Sequence, residues 1–148
     1  MVGQVDGISE SAAAAARDLR VMFSRLRRQL KEVATGGGLT PSQTAVLTRL
    51  WKEGASSASA LAAAERVRPQ SMATILTSLD QHGLIQRAPD PDDGRRQVIS
   101  LTAAGRRRAE SDRQVREEWL ARAIQERYSE RERRVINDAL ALLQRLND

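Results

Sequence analysis

The sequence contains no cysteine and a single histidine, His82. The absence of cysteine excludes disulfides, thiolate metal sites and thiol redox sensing. One histidine excludes a zinc site with several histidine ligands, and Ser-His or Cys-His catalysis would have to run through His82. The sequence also lacks a phosphate-binding glycine loop. We therefore expect a protein that is not an enzyme and that needs neither a metal nor a cofactor.

Aromatic residues make up only 3% of the chain. No apolar run approaches the roughly 20 residues of a membrane span. The N-terminal residues are acidic and polar, whereas a signal peptide is basic and then apolar, so we expect a cytoplasmic protein. The 148 residues, 41% of them hydrophobic, are enough for one domain with a helical core of leucine, valine, isoleucine and alanine.

Positive charge is in excess, and nearly all of it comes from arginine. The chain has 24 basic and 19 acidic residues, a net charge of +5 and a pI near 10.8. Arginine is the side chain that makes bidentate contacts with phosphate and guanine, although a basic pI also fits simple solubility. Residues 66–108 contain eight arginines and four aspartates, so most of the excess lies in one segment.

The first two predicted helices are separated by glycine. Apolar residues at helical spacing predict a long helix over residues 9–34, and the triple glycine at 36–38 ends it. Thr40 and Gln43 have the spacing of a capping box, which predicts the start of the second helix. Gly54 is expected to end that helix as a left-handed cap.

Two further helices follow with a short turn between them. Residues 59–66 predict a short third helix, which ends before Pro69 because the residue before proline avoids the helical region. The fourth helix is predicted over residues 69–83. One of its faces is apolar, and the other carries short polar side chains, namely Gln70, Ser71, Thr74, Thr77, Ser78 and Gln81.

The periodicity then changes to that of a β-hairpin. Residues 85–88 and 97–101 are predicted strands with a charged, turn-rich loop between them. Thr102 is expected to cap a fifth helix, whose polar first half should bridge two bodies. Ser129 and Glu132 form a second capping box and predict a sixth, leucine-rich helix.

This order of elements is that of a winged helix-turn-helix, in which the second helix of the pair enters the DNA major groove. Four short motifs at the right spacing support it: LA at 61–62, GLI at 83–85, DPDDGR at 90–95 and LTAAG at 101–105. Over residues 40–105 the sequence resembles the MarR (multiple antibiotic resistance regulator) family of transcription factors.

The resemblance implies a mainly α fold with a small two-stranded β-wing. The whole chain, residues 1–148, would be a single domain. The winged helix-turn-helix would occupy residues 40–105, and residues 9–35 and 106–148 would form dimerisation helices. Such a protein would bind double-stranded DNA as a homodimer on a pseudo-palindromic operator and act as a repressor. The alternative is a helical dimer whose winged domain binds a protein partner.

The resemblance also assigns roles to residues of the wing. Arg95 matches the arginine that enters the minor groove, and Asp93 matches the acid that holds the wing tip. The sequence departs from the family pattern at Thr74 and Gly94, where basic residues are common, and the fourth helix has no lysine or arginine. The full set of predicted DNA-binding residues is Arg68, Gln70, Ser71, Thr74, Thr77, Arg87, Asp93, Arg95 and Arg96.

Relatives of this kind imply an effector as well. The expected ligand is an anionic aromatic compound such as salicylate, held between the dimer helices and the winged domain. The residues predicted to line its pocket are Arg20, Phe23, Arg27, Trp51 and Trp119. The lack of cysteine excludes a switch based on thiol oxidation.

Overall fold

The computed structural model describes residues 7–33 and 37–148. The predicted end of the first helix at residue 34, the end of the N-terminal dimerisation segment at 35, and Gly36 lie outside the described residues. Within them no helix is long and apolar enough to cross a membrane.

The chain forms six α-helices and one hairpin within the described residues. In order they are α1 (Glu10–Val33), α2 (Pro41–Glu53), α3 (Ala58–Glu65), α4 (Pro69–Gln81), β1 (Ile85–Pro89), β2 (Gln97–Leu101), α5 (Ala103–Arg127) and α6 (Glu130–Gln144), followed by a 3-10 turn (Arg145–Asn147). The predicted mainly α fold with a two-stranded wing is confirmed.

Both predicted capping boxes are formed. At the start of α2, the Gln43 amide donates to Thr40 Oγ1 at 3.2 Å, and the Thr40 amide donates to Gln43 Oε1 at 3.0 Å. Ser129 and Glu132 repeat the arrangement at α6. The backbone amide of Ser129 lowers the pKa of Glu132, because that hydrogen bond favours the charged carboxylate.

The ends of the middle helices differ in detail from the prediction. The helix α3 begins one residue early, because the Ser57 hydroxyl accepts the Ala60 amide, and it ends at Glu65 since Arg66 is left-handed (φ 56°, ψ 45°). The helix α4 ends at Gln81, two residues before the predicted end. Gly83 follows with a left-handed φ of 70°, which turns the chain away from the helix. The left-handed cap predicted at Gly54 is wrong: its φ of 87° is paired with a ψ of −169°, an extended conformation open to glycine.

The two strands pair in an antiparallel register from Ile85 opposite Leu101 to Pro89 opposite Gln97. A third segment, which was not predicted from the sequence, joins this hairpin. The amide of Ser56 donates to the Ile99 carbonyl at 3.0 Å, and the Ile99 amide donates back at 2.7 Å. The loop between α2 and α3 is therefore tied to the wing.

The buried core belongs to the winged helix-turn-helix. Its members come from the loop before α2, from α2 to α5 and from both strands: Leu39, Val46, Leu47, Leu50, Leu61, Ala62, Met72, Leu76, Leu79, Leu84, Ile85, Ile99 and Ala109. Neither α1 nor α6 contributes a buried residue. The core therefore holds the segment that carries the motifs, and the terminal helices leave their apolar side chains outside it.

The polar first half of α5, which the sequence predicts to bridge two bodies, contributes residues to the interior of the winged domain. Gly105, Ala109 and Asp112 are buried on that half, and the second half has no buried residue. Small residues allow the helix to approach the core closely, and Asp112 Oδ1 accepts a hydrogen bond from Arg108 Nε at 3.1 Å. The first half of α5 is thus packed on the winged domain.

Gly105 is the residue that permits this approach. A methyl group at Gly105 would overlap the carbonyl oxygen of Leu84, a backbone atom that cannot move aside. We expect Gly105→Ala to lower the free energy of unfolding by about 2–3 kcal/mol, measured by urea denaturation. Gly94→Ala is the matched control, because Gly94 has open space around it and no positive φ, and it should change stability by less than about 0.5 kcal/mol. Equal stabilities of the two variants would contradict this account.

Candidate nucleic-acid interface

A tight turn sets the angle between α3 and α4. The Val67 amide donates to the Ala62 carbonyl at 3.0 Å, and the Val67 side chain packs against the core. Arg68 then has extended backbone (φ −69°, ψ 152°), and Pro69 occupies the first position of α4. Since proline fixes its own φ and lacks an amide hydrogen, it begins the helix at no cost in hydrogen bonding.

The helix α4 has one buried face and one exposed face. Met72, Leu76 and Leu79 are fully buried in the core. The exposed face of α4, as the term is used below, consists of Gln70, Ser71, Ala73, Thr74 and Thr77, all solvent-accessible. It carries no charge and only short or neutral side chains. A helix of this kind can bring its backbone close to base edges in a major groove.

A hydrogen bond ties α4 to α2. Gln43, whose Oε1 already accepts the Thr40 amide, uses its Nε2 to donate to Ser78 Oγ at 3.0 Å. The same side chain therefore caps α2 and holds α4 against it. The sequence predicts only the capping role of Gln43, because its second partner is 35 positions away.

The wing tip is held by backbone hydrogen bonds to aspartate. Asp93 Oδ1 accepts the Arg95 amide at 3.1 Å, and the Asp93 carbonyl accepts the Arg96 amide at 3.0 Å. Asp90 Oδ1 likewise accepts the Asp92 amide at 2.9 Å. The Asp93 carboxylate thus fixes the turn by holding the backbone of Arg95, which leaves the Arg95 guanidinium exposed.

Exposed arginines lie on both sides of α4. Arg68 precedes the helix, and Arg95 and Arg96 stand at the wing tip; none of the three forms an ion pair among residues 7–33 and 37–148. Arg87 differs, because its Nε lies 3.7 Å from Asp80 Oδ2 and its charge is partly offset. Unpaired cations before α4 and at the wing tip are suited to contacts with phosphate.

The start of α5 adds further positive charge. Arg106 and Arg107 are exposed on its first turns. Arg108 is half-buried and turned inward, where it contacts Asp112 and donates to the Gly37 carbonyl at 3.2 Å. Arg108 therefore links the loop before α2 to α5, a role for which the sequence showed no signal.

The comparison with known proteins decides the family. The MarR family model matches residues 39–96. An HTH-type transcriptional regulator of Mycobacterium bovis is 40% identical over 115 residues, which cover 78% of this chain and 80% of that protein. The chain belongs to the MarR family. The resemblance inferred from the sequence is confirmed.

Two further comparisons agree with a role in transcription. The crystal structure of a transcriptional regulator protein from Pseudomonas aeruginosa matches with a TM-score of 0.80 and 34% identity, covering 95% of this chain and 97% of that one. The HTH-type transcriptional repressor MdtR of Bacillus subtilis is 31% identical over 87 residues, which are 59% of this chain and 56% of that protein. As a member of this family the protein is a DNA-binding transcription regulator and not an enzyme, as predicted.

In this MarR-family chain a cleft of about 430 Å³ lies between α1, α2 and α5. Of the five residues predicted to line an effector pocket, Phe23 and Arg27 lie in this cleft. Arg20 lines a separate hollow on α1, and neither Trp51 nor Trp119 is among the residues that line the cleft. The indole of Trp51 lies under the guanidinium of Arg113 instead, 5.3 Å from ring centre to Cζ.

Among the residues that the structure describes, only one of the basic residues that line the cleft is paired with carboxylates. Arg49 Nε donates to Glu65 at 2.7 Å and its Nη1 donates to Glu53 at 2.9 Å, so this arginine is neutralised. Its pKa is raised, above all by the hydrogen bond to Glu65. The other lining cations form no ion pair within the described part of the chain: Arg27, Lys31, Lys52 and Arg116. The cleft is therefore electropositive, with an apolar wall formed by residues such as Phe23 and Leu30.

Proposed function

We propose that the protein is a cytoplasmic, homodimeric repressor that binds a pseudo-palindromic operator. In each subunit α4 enters the major groove with Gln70, Ser71, Thr74 and Thr77 towards the bases. Arg68, Arg87 and Arg96 face phosphate, and the wing places Arg95 in the adjacent minor groove. The observation that carries the proposal is the neutral exposed face of α4 flanked by unpaired arginines. The relationship to the repressor MdtR supports the direction of regulation.

The terminal helices support the dimer. Large apolar side chains on α1 and α6 are more than 40% exposed in the single chain: Val21, Met22, Phe23, Val135, Leu140 and Leu142. Large apolar side chains left exposed along two helices are typical of a protein interface. A second copy that covers these helices would complete their burial. Two-fold symmetry then places the two recognition helices about one helical turn of DNA, roughly 34 Å, apart.

The cleft between α1, α2 and α5 supports an effector site of the expected chemistry. An anionic aromatic compound such as salicylate would place its carboxylate near Arg27 and its ring against Phe23 and Leu30. Thr44 Oγ1 is buried beside the cleft without a hydrogen-bond partner among the described residues, and it could pair with a phenolic hydroxyl. Because the cleft joins a dimerisation helix to the winged domain, a ligand there can alter the spacing of the two α4 helices.

The wing is tested by salt titrations on an operator selected from random duplex DNA. Arg95→Ala removes one cation from each wing. The plot of log affinity against log salt, which has a negative slope, should therefore become less steep by about one per subunit. Affinity should fall about tenfold per wing, as expected for one charge-assisted contact.

The matched variants separate the charge of Asp93 from its hydrogen bond. Asp93→Asn keeps an oxygen that accepts the Arg95 amide, so it should bind DNA at least as well as the wild type. Asp93→Ala removes that hydrogen bond and loosens the turn. Its affinity should fall, but the dependence of affinity on salt should not change. An Arg95→Ala protein with unchanged affinity and slope would remove the wing from the proposed interface.

The dimer is tested on α6, of which no residue is buried in the single chain. Leu142→Glu places a carboxylate in the proposed interface and should weaken the dimer by about 3 kcal/mol, because the buried charge has no partner. Sedimentation velocity should then show a monomer at micromolar concentration, with operator binding lost. Gln144→Glu makes the same change of charge on the same helix, but at a polar side chain, and this variant should remain dimeric. A dimeric Leu142→Glu protein would exclude this face from the interface.

The effector site is tested by the concentration of salicylate that releases the protein from its operator. Arg27→Gln should raise that concentration about tenfold, since it removes the cation that faces the carboxylate. Arg20→Gln makes the same change on the same helix but outside the cleft, and it should respond like the wild type. The same response from both variants would place the ligand elsewhere or nowhere.

A further inference from the structure

The exposed face of α4 has a chemical character that limits which bases it can recognise. We propose that α4 recognises an A·T-rich half-site through the C5 methyl groups of thymine, which contact the methyl groups of Ala73, Thr74 and Thr77. The proposal rests on the proposed function, in which α4 enters the major groove. It adds the class of base sequence that the helix selects.

The first step is the absence of cations from the helix. No lysine or arginine occurs in Pro69–Gln81, and the exposed face of α4 is neutral throughout. The major-groove edge of guanine presents two acceptors, N7 and O6, and the side chains that pair with both are arginine and lysine. Gln70 is the long amide on this face, and glutamine pairs in bidentate fashion with adenine.

The second step concerns the two threonine hydroxyls. Thr74 Oγ1 donates to the Gln70 carbonyl at 3.1 Å, and Thr77 Oγ1 donates to the Ala73 carbonyl at 2.9 Å. A hydroxyl group has one hydrogen, so neither side chain has a donor left for a base. What each can offer is its γ-methyl group and a lone pair, which suit the thymine methyl and the adenine N6 amine.

The third step is the alignment of these groups. Gln70, Thr74 and Thr77 are separated by four and three residues, so they share one face of the helix, and Ala73 lies beside them. All four side chains are exposed. They form a row of one amide and three methyl groups directed away from the core. Such a row is complementary to a run of A·T pairs, whose thymines each present a methyl group in the major groove.

The test begins with the operator selected from random duplex DNA by the full-length protein. Within each half-site, single thymines are replaced by deoxyuridine, which keeps base pairing and removes only the C5 methyl group. We expect affinity to fall about fourfold for each thymine that contacts a methyl group of α4. Thymines outside the half-sites are the control, and their replacement should leave affinity within twofold.

Two substitutions at one position separate the methyl group from the hydroxyl. Thr74→Val keeps a methyl group and removes the hydroxyl, so it should bind the operator more tightly than Thr74→Ser. Thr74→Ser keeps the hydroxyl and removes the methyl group, so affinity should fall about fourfold. In this variant, replacing the thymine that contacts Thr74 by deoxyuridine should cause no further loss of affinity, because the methyl contact is already gone. Both variants keep the α4 backbone bonds, which far-UV circular dichroism can verify.

The outcomes distinguish this inference from the proposed function. Selection of a half-site rich in G·C pairs would overturn the recognition of methyl groups. So would a half-site at which every deoxyuridine replacement leaves affinity unchanged. In both cases the protein would still bind DNA specifically, so the proposed function would stand. A loss of affinity in Thr74→Val without loss in Thr74→Ser would assign recognition to the hydroxyl and also overturn it. Failure to select any duplex at low salt would overturn the proposed function together with this inference.

Discussion

The first turn of α5 meets the backbone between α4 and β1 at a distance that only glycine permits. Gly105 lies against the Leu84 carbonyl oxygen, the Thr102 amide donates to that oxygen at 3.1 Å, and the Thr102 hydroxyl donates to the Gly83 carbonyl at 2.6 Å. The same hydroxyl accepts the Gly105 amide and so caps α5. The end of α4, the start of the wing and the start of α5 are therefore fixed at one junction, and the relative placement of the wing and α4 depends on it.

The apolar residues of the chain fall into two populations with different partners. Those of the winged domain, such as Leu47 and Leu76, are fully buried within one chain. Those of α6, such as Leu142, stay 63% exposed although the helix has a well-formed capping box. Local signals are thus sufficient to form the terminal helices, and in the proposed dimer a second chain buries their apolar faces. A single subunit is in this sense an incomplete hydrophobic structure, and the proposed dimer supplies what it lacks.

Features determined by neighbours in the sequence were predictable, and features determined by distant contacts were not. The capping box at Thr40, the glycine end of α4 at Gly83 and the hairpin are local, and each is present as predicted. The bond from Gln43 to Ser78 and the inward turn of Arg108 depend on packing between segments far apart in the sequence. The effector prediction shows the same limit, since Phe23 and Arg27 reach the cleft while Trp51 packs under Arg113 on another side of α2. Helical spacing predicts on which face of a helix a residue lies, but it does not predict which other segment that face contacts.

The two hydrogen bonds between Ser56 and Ile99 bear on the entropy of DNA association. They attach the hairpin to the loop between α2 and α3, which restrains β1 and β2 relative to the helix-turn-helix. Ordering a flexible backbone on binding costs about 1–2 kcal/mol per residue. In a wing anchored this way, the strands are already ordered before DNA arrives, and that penalty is confined to the short segment that Asp90 and Asp93 hold at the tip. In the proposed complex, the free energy of the arginine contacts is then available for affinity rather than for folding the wing.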